Sequence, residues 1–167
     1  MRTRLGRLAL LTMIVLVPAC AESGPDTAVD SATMRHVRRV DEALARGDVS
    51  TAVRAWHDAY GAALASRAWE PMLAVGDAHL RIGGAGGIGG AAYARARENY
   101  LVALFRARAR RSLDGVLRAT EAFARLGDRD VVDMGLRVAR DVAARGGDPE
   151  AVERVRRFAQ ELSEGRR

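Results

Sequence analysis

Residues 45–60 read ARGDVSTAVRAWHDAY, and the fold turns on how this stretch divides. Gly47-Asp48 ends one helix and starts another. Glycine takes the left-handed backbone that terminates a helix, and the aspartate carboxylate accepts from the unpaired N–H groups opening the next. Beyond the break, Ala52, Trp56 and Ala59 recur at i, i+4 and i+7, one face of a 3.6-residue helix. Small residues on such a face let a neighbouring helix approach, and the large ring fills the gap between them.

The unit recurs. Gly47, Gly83 and Gly127 each stand where a helix is expected to end, 36 and 44 residues apart. The longer interval contains GGAGGIGG at 83–90, read as an eight-residue loop insertion; without it both intervals are 36. The second helices then align as Ala52, Trp56, Ala59 with Ala96, Tyr100, Ala103 and with Val132, Leu136, Ala139. Glycine at the turn followed by small, large, small resembles the second half of a tetratricopeptide repeat. Met72, Val75 and Gly76 match the first half well, Val116 and Phe123 in part, His36 and Arg39 poorly. No proline closes a unit, and 36 exceeds the family's usual period of about 34. The resemblance spans residues 33–145. It implies an all-α, right-handed stack of about three helix pairs, with a C-terminal capping helix over 148–167 and a groove lined by the first helices.

The remaining composition agrees. Residues 31–167 are rich in Ala, Leu, Arg and Glu and contain no alternating apolar–polar run, which predicts one all-helical domain. Helices are expected at roughly 32–46, 49–65, 67–82, 91–110, 113–126, 129–145 and 149–163. Asp48, Ser66, Ser112, Asp128 and Asp148 are the candidate N-caps, with Ser31 or Thr33 opening the first helix. Gly47, Gly83, Gly127 and Gly146 are the candidate C-caps.

The N-terminus follows different rules. Arg2, Arg4 and Arg7 precede an apolar run over 8–17, too short to span a bilayer and suited to a signal-peptide core. The run ends in Val17-Pro18-Ala19-Cys20, which resembles a bacterial lipobox, although Pro18 departs from the usual residues there. The resemblance implies removal of residues 1–19, a diacylglycerol on the Cys20 thiol, and a place in the cell envelope facing outside the cytoplasm. That would be the outer membrane or periplasm in a diderm host, and the outer leaflet of the cell membrane in a monoderm. Ordinary secretion with cleavage after Ala21 is the alternative. Cys20 is the only cysteine. Residues 20–30, with Gly24-Pro25, read as the lipidated cysteine and a flexible tether.

Of the 27 arginines (there is no lysine), three lie in the leader, leaving 24 against 21 acidic residues, a net +3. So nearly balanced a surface on an exported chain argues against nucleic acid as a partner. Residues 84–89 formally fit G-x-G-x-x-G, but a helix rather than a strand precedes them, so a flexible inter-helix loop is expected and no dinucleotide site. His36, His57 and His79 have no metal-ligand spacing, and neither a nucleophile elbow nor a catalytic cysteine is present. No enzyme, metal or cofactor is expected. Arg95, Arg106 and Arg110 fall on one helix face as a basic stripe, which could rest on anionic lipid.

The first helices carry the partner-binding candidates. Asp41, Asp77 and Glu121 form an acidic column; four residues on stand Ala45, Arg81 and Arg125, so Asp41 alone lacks an i, i+4 partner. The expected function is a lipid-anchored, non-catalytic adaptor or scaffold gripping an envelope protein or peptide in that groove. The alternatives are a small-molecule sensor whose glycine-rich loop closes over its ligand, and a structural protein at the membrane surface.

Overall fold

A computed structural model describes residues 25–165, with side chains from residue 31 onward. The expected signal peptide, residues 1–19, and Cys20 lie outside the described residues. Seven helices account for nearly all of what is described: α1 (Pro25–Ala45), α2 (Val49–Ala65), α3 (Glu70–Gly86), α4 (Gly89–Ala109), α5 (Leu113–Leu126), α6 (Arg129–Gly146) and α7 (Pro149–Glu164). α1 packs on α2, α3 on α4 and α5 on α6, and α7 closes the stack against α6 and α5. The first helices touch in sequence, α1 on α3, α3 on α5 and α5 on α7, while α2 and α4 meet through the Arg106 side chain near their ends. The chain is therefore a short helical-repeat stack whose first-helix layer is the continuous one.

Three of the four left-handed glycines set the period. Gly47, Gly87 and Gly127 have φ of +73°, +70° and +75°, and they lie 40 residues apart in each interval. Each is followed at the same distance by a second helix, starting at Val49, Gly89 and Arg129. Four rows then repeat at 40, and all twelve residues are buried: Ala52, Ala92, Val132; Trp56, Ala96, Leu136; Ala59, Asn99, Ala139; Ala63, Ala103, Ala143. This corrects the 36-residue spacing and the loop insertion at 83–90. Residues 83–86 are the last turn of α3, only Gly87 and Ile88 lie between helices, and α4 resumes at Gly89. Gly83 is buried because α4 crosses there: a Cβ on it would sit 2.2 Å from that of Ala92. Helix geometry needs no left-handed residue at 83; it needs no side chain there.

Other boundaries move for local reasons. α1 already begins at Pro25, so residues 25–30 are helical and not tether, and Thr33 is a buried mid-helix residue rather than a cap. Ser66 ends α2 instead of opening α3; its hydroxyl accepts from the Ala68 N–H, and α3 starts at Glu70 with Pro71 in its first turn. Asp48, Ser112, Asp128 and Asp148 do cap their helices, accepting from the N–H groups of Thr51, Gly115, Val131 and Glu150. At the last turn the left-handed glycine is Gly147, not Gly146.

The core is built from alanines and a few large side chains. Trp56 is 4% exposed and donates its indole N–H to the Val75 carbonyl at 2.8 Å, tying the first pair to the second. Tyr100 lies across Gly76, and its ring meets Phe123 edge-on with centroids 5.9 Å apart. Gly135 lets α6 close on Thr120, where a Cβ would come within 2.2 Å of the hydroxyl oxygen. Among the described residues no helix is long and apolar enough to cross a membrane.

Candidate functional site

Asp41, Asp77 and Glu121 stand on α1, α3 and α5, the three first helices that touch in sequence. Their arginines do not pair within the helix alone. Arg81 reaches back to α1 and donates from Nε to Asp41 Oδ1 at 2.8 Å. Arg125 reaches back to α3, with Nη2 3.3 Å from Asp77 Oδ1, and its Nη1 lies 3.7 Å from Glu121 on its own helix. The expectation that Asp41 lacks a partner is thus corrected. Each inter-helix rung joins an acid of one repeat to an arginine of the next. At the 40-residue period, positions 41, 81 and 121 are equivalent and read Asp, Arg, Glu, so the rung from Asp41 to Arg81 joins equivalent positions of neighbouring repeats.

Asp77 is more deeply engaged than a surface ion pair. The Tyr100 hydroxyl donates to the same Oδ1 at 2.5 Å, carrying the link from α4 through α3 to α5. Burial, and next the Asp77 carboxylate that accepts its proton, push the Tyr100 phenol above its usual range. The neutral phenol is the form this geometry keeps.

Beside the ladder lies an open groove of about 380 Å³ crossing α1, α3 and α5. Met34, Trp69, Leu73 and Ala74 supply its apolar surface; Glu70, Asp77, Glu121, Arg118 and Arg125 supply the charge. Arg118 stands over the Trp69 ring at 5.9 Å, which holds the guanidinium at the edge of the groove. Of the five candidates, Asp77, Glu121 and Arg125 line this groove, whereas Asp41 and Arg81 pair with each other outside its lining. The apolar members were missed, yet spacing could have found them. Met34 precedes Asp41 by seven residues, Leu73 precedes Asp77 by four and Arg118 precedes Glu121 by three, which are the intervals of one helix face.

One further expectation changes. The basic stripe on α4 is not continuous: Arg95 pairs with Glu98 at 2.7 Å, and Arg106 turns inward to donate from Nη1 to the Ala63 and Ala68 carbonyls, each at 3.0 Å. Arg106 thereby satisfies carbonyls left open at the end of α2. His57 and His79 both lie against Trp56, at 5.1 and 4.4 Å between ring centroids, and Tyr60 stacks on its other neighbour position at 5.3 Å. Burial, then Arg95 and His57, hold the His79 imidazole below the ordinary histidine range. No group of three or more metal-ligating side chains occurs among the described residues. Compared with protein families and with curated proteins, the chain matches none.

Proposed function

We propose that the protein is a lipid-anchored, non-catalytic adaptor of the cell envelope, and that it holds a segment of a protein partner in the groove across α1, α3 and α5. The observation that carries this reading is the groove itself: apolar side chains from α1 and the start of α3 meet charges of both signs on α3 and α5. Such a surface suits an extended or helical segment with an apolar stripe and charged flanks. Tying the rungs between helices keeps the groove's spacing fixed, so little order has to be gained on binding. The anchor supports the place rather than the partner: Val17-Pro18-Ala19-Cys20 follows a basic and then apolar leader, the arrangement of a lipobox.

The test places a photo-crosslinking residue at Leu73 in the groove, or at Arg137 on α6 as a control, in envelope membranes of the native host. Adduct from position 73 that is absent from position 137 and lost when Met34→Glu is added is the expected result. Equal labelling from both positions, or none, removes the adaptor reading. Cys20→Ser tests the anchor separately, since only a thiol forms the thioether. A serine variant that is still cut at residue 20 and still sediments with membranes would refute the lipobox.

A further inference from the structure

Because the helices of each pair run antiparallel, every odd-numbered helix begins at one end of the stack and every even-numbered helix ends there. The contacts show this directly: Arg106 near the end of α4 reaches the end of α2 and the Ala68 carbonyl before α3, and Gly115 at the start of α5 meets Trp69 and Ala107. At this end the connections are residues 66–69, 110–112 and 147–148; at the other they are 46–48, 87–88 and 127–128.

The two ends differ in charge and in exposed apolar surface. At the first, Arg67, Arg108 and Arg111 are exposed and make no ion pair among the described residues. Arg108 and Arg111 border a recess of about 210 Å³ between α4 and α6, whose far wall holds Arg145 paired with Asp141 at 3.0 Å. Arg111 is the one non-glycine with positive φ among the described residues, +53°, so the turn carries its guanidinium on a backbone that favours glycine or asparagine. Leu64 and Phe105, 50% and 53% exposed, lie near the ends of α2 and α4, which Arg106 clamps together. Three acids at this end are engaged, Arg154 taking Asp114, Arg145 taking Asp141 and Asp148 capping α7; Glu70 and Glu150 remain, and Asp26 and Asp30 stand in the first turns of α1. At the opposite end Ile88 alone of the turn residues exposes a large apolar side chain, 49%, Arg46 and Arg129 lie close in sequence to Asp48 and Asp130, and Asp128 is held by Arg97.

We infer that the end carrying Arg67, Arg108, Arg111, Leu64 and Phe105 is a docking surface for an anionic phospholipid membrane. Three guanidiniums without carboxylate partners attract phosphate headgroups, two of them border the recess, and the exposed leucine and phenylalanine suit the boundary with the acyl chains. The path of the chain selects the occupant. α1 begins at this end, and five residues separate Cys20 from Pro25, a reach of about 17 Å when extended. A chain held in the bilayer at or before Cys20 brings this end, and not the other, to the headgroups. The inference shares the membrane attachment with the adaptor reading but is independent of the groove, which faces sideways from the first helices.

The experiment reconstitutes the full chain in vesicles of phosphatidylcholine alone or mixed with phosphatidylglycerol, and follows amide hydrogen exchange over residues 106–112. Exchange should slow by about tenfold in the anionic vesicles and recover in about 0.5 M salt. R67Q/R108Q/R111Q should lower the docked-to-undocked ratio by about a hundredfold, near fivefold per arginine, while the corresponding triple lysine variant keeps most of it. Equal exchange in both vesicles, protection unchanged in the triple glutamine variant, or protection at residues 87–88 and 127–128 instead would overturn the inference. The mass of the bound chain reports Cys20 acylation on its own, and an unprocessed chain stays on the vesicle through residues 8–17, so loss of the anchor reading and loss of the docking surface are separate results.

Discussion

The glycines of the turns and the glycines of the seams obey different physics. Gly47, Gly87 and Gly127 have open space where a Cβ would go, and left-handed backbones near φ +70°. Gly76, Gly83, Gly115 and Gly135 are helical, and a Cβ on any of them would come within 2.2–2.7 Å of a neighbouring side chain. The first group answers to the backbone and repeats at a fixed interval. The second answers to whatever helix crosses it, and so has no period. A turn glycine tells where a helix ends, whereas a seam glycine tells only that another helix is near.

The largest test of the seams removes the side chain that fills one. Trp56→Ala empties the contact between α2 and α3 and leaves the Val75 carbonyl without its indole donor, so unfolding free energy should fall by about 3–5 kcal/mol. Chemical denaturation reads this; a loss below about 1 kcal/mol would mean that Trp56 is not packed as described. Next come the added methyls. Gly135→Ala and Gly83→Ala each place a Cβ where a neighbour already stands, and should cost about 1–3 kcal/mol despite alanine's better helix propensity. Thr120→Ala, which clears the obstruction facing Gly135, should return part of the loss in the double variant but none of the loss at Gly83.

The turns should behave in the opposite way. Gly87→Ala has room but is forced to φ +70°, a cost of about 1–2 kcal/mol that asparagine should partly avoid. Gly84, three residues away, is helical with nothing near its Cβ position, so Gly84→Ala should stabilise by about 0.5–1 kcal/mol. Opposite signs at 84 and 87 would separate helix from turn in the very stretch whose sequence suggests a loop.

That stretch shows where reading a sequence succeeds and where it stops. Asp48, Asp128 and Asp148 are legible as caps because a cap is settled by residues two or three positions away. The small-large-small faces are legible because helical spacing puts them together within one segment. Gly83 is not, since its reason is Ala92 on the following helix, and a run of glycines looks the same whether helices cross there or a loop wanders. The ladder divides likewise. That Arg125 lies near Glu121 follows from spacing; that Arg81 chooses Asp41 over Asp77 depends on how α1 and α3 sit side by side. Asp77, Glu121 and Arg125 of the groove follow from the acidic column and its i+4 arginines; Glu70, Arg118 and the apolar lining do not, because they join the groove through the packing of α1, α3 and α5.

A pH dependence tests the seam around Trp56 without changing its volume. His79 packs on Trp56 with His57 and Arg95 nearby, and its folded pKa lies below the ordinary value of 6.5, first through burial and then through those two groups. The unfolded chain therefore binds more protons as pH falls through 6.5, so stability from this site is present above that pH and lost below it. Denaturant midpoints should drop between pH 7.5 and pH 5.5, and His79→Gln should flatten that part of the profile. An unchanged slope in the glutamine variant would rule out His79 as its source.

The smallest effects belong to the ladder, and they should not be equal. Asp41 and Arg81 are exposed on both sides of their contact, where an ion pair contributes well under about 1 kcal/mol because water and salt screen it. Asp41→Ala should leave the melting temperature within about 2 °C of the parent. Asp77→Ala removes the same charge but also strands the hydroxyl of Tyr100, whose side chain is buried across Gly76. An unpaired donor at such a place costs about 1–3 kcal/mol, so Asp77→Ala should melt clearly lower. Tyr100→Phe supplies the decisive step. With no hydroxyl to satisfy, the Asp77→Ala penalty should shrink toward that of Asp41→Ala; if it stays the same size in the phenylalanine background, the link from α4 through Asp77 to α5 contributes nothing to holding the groove.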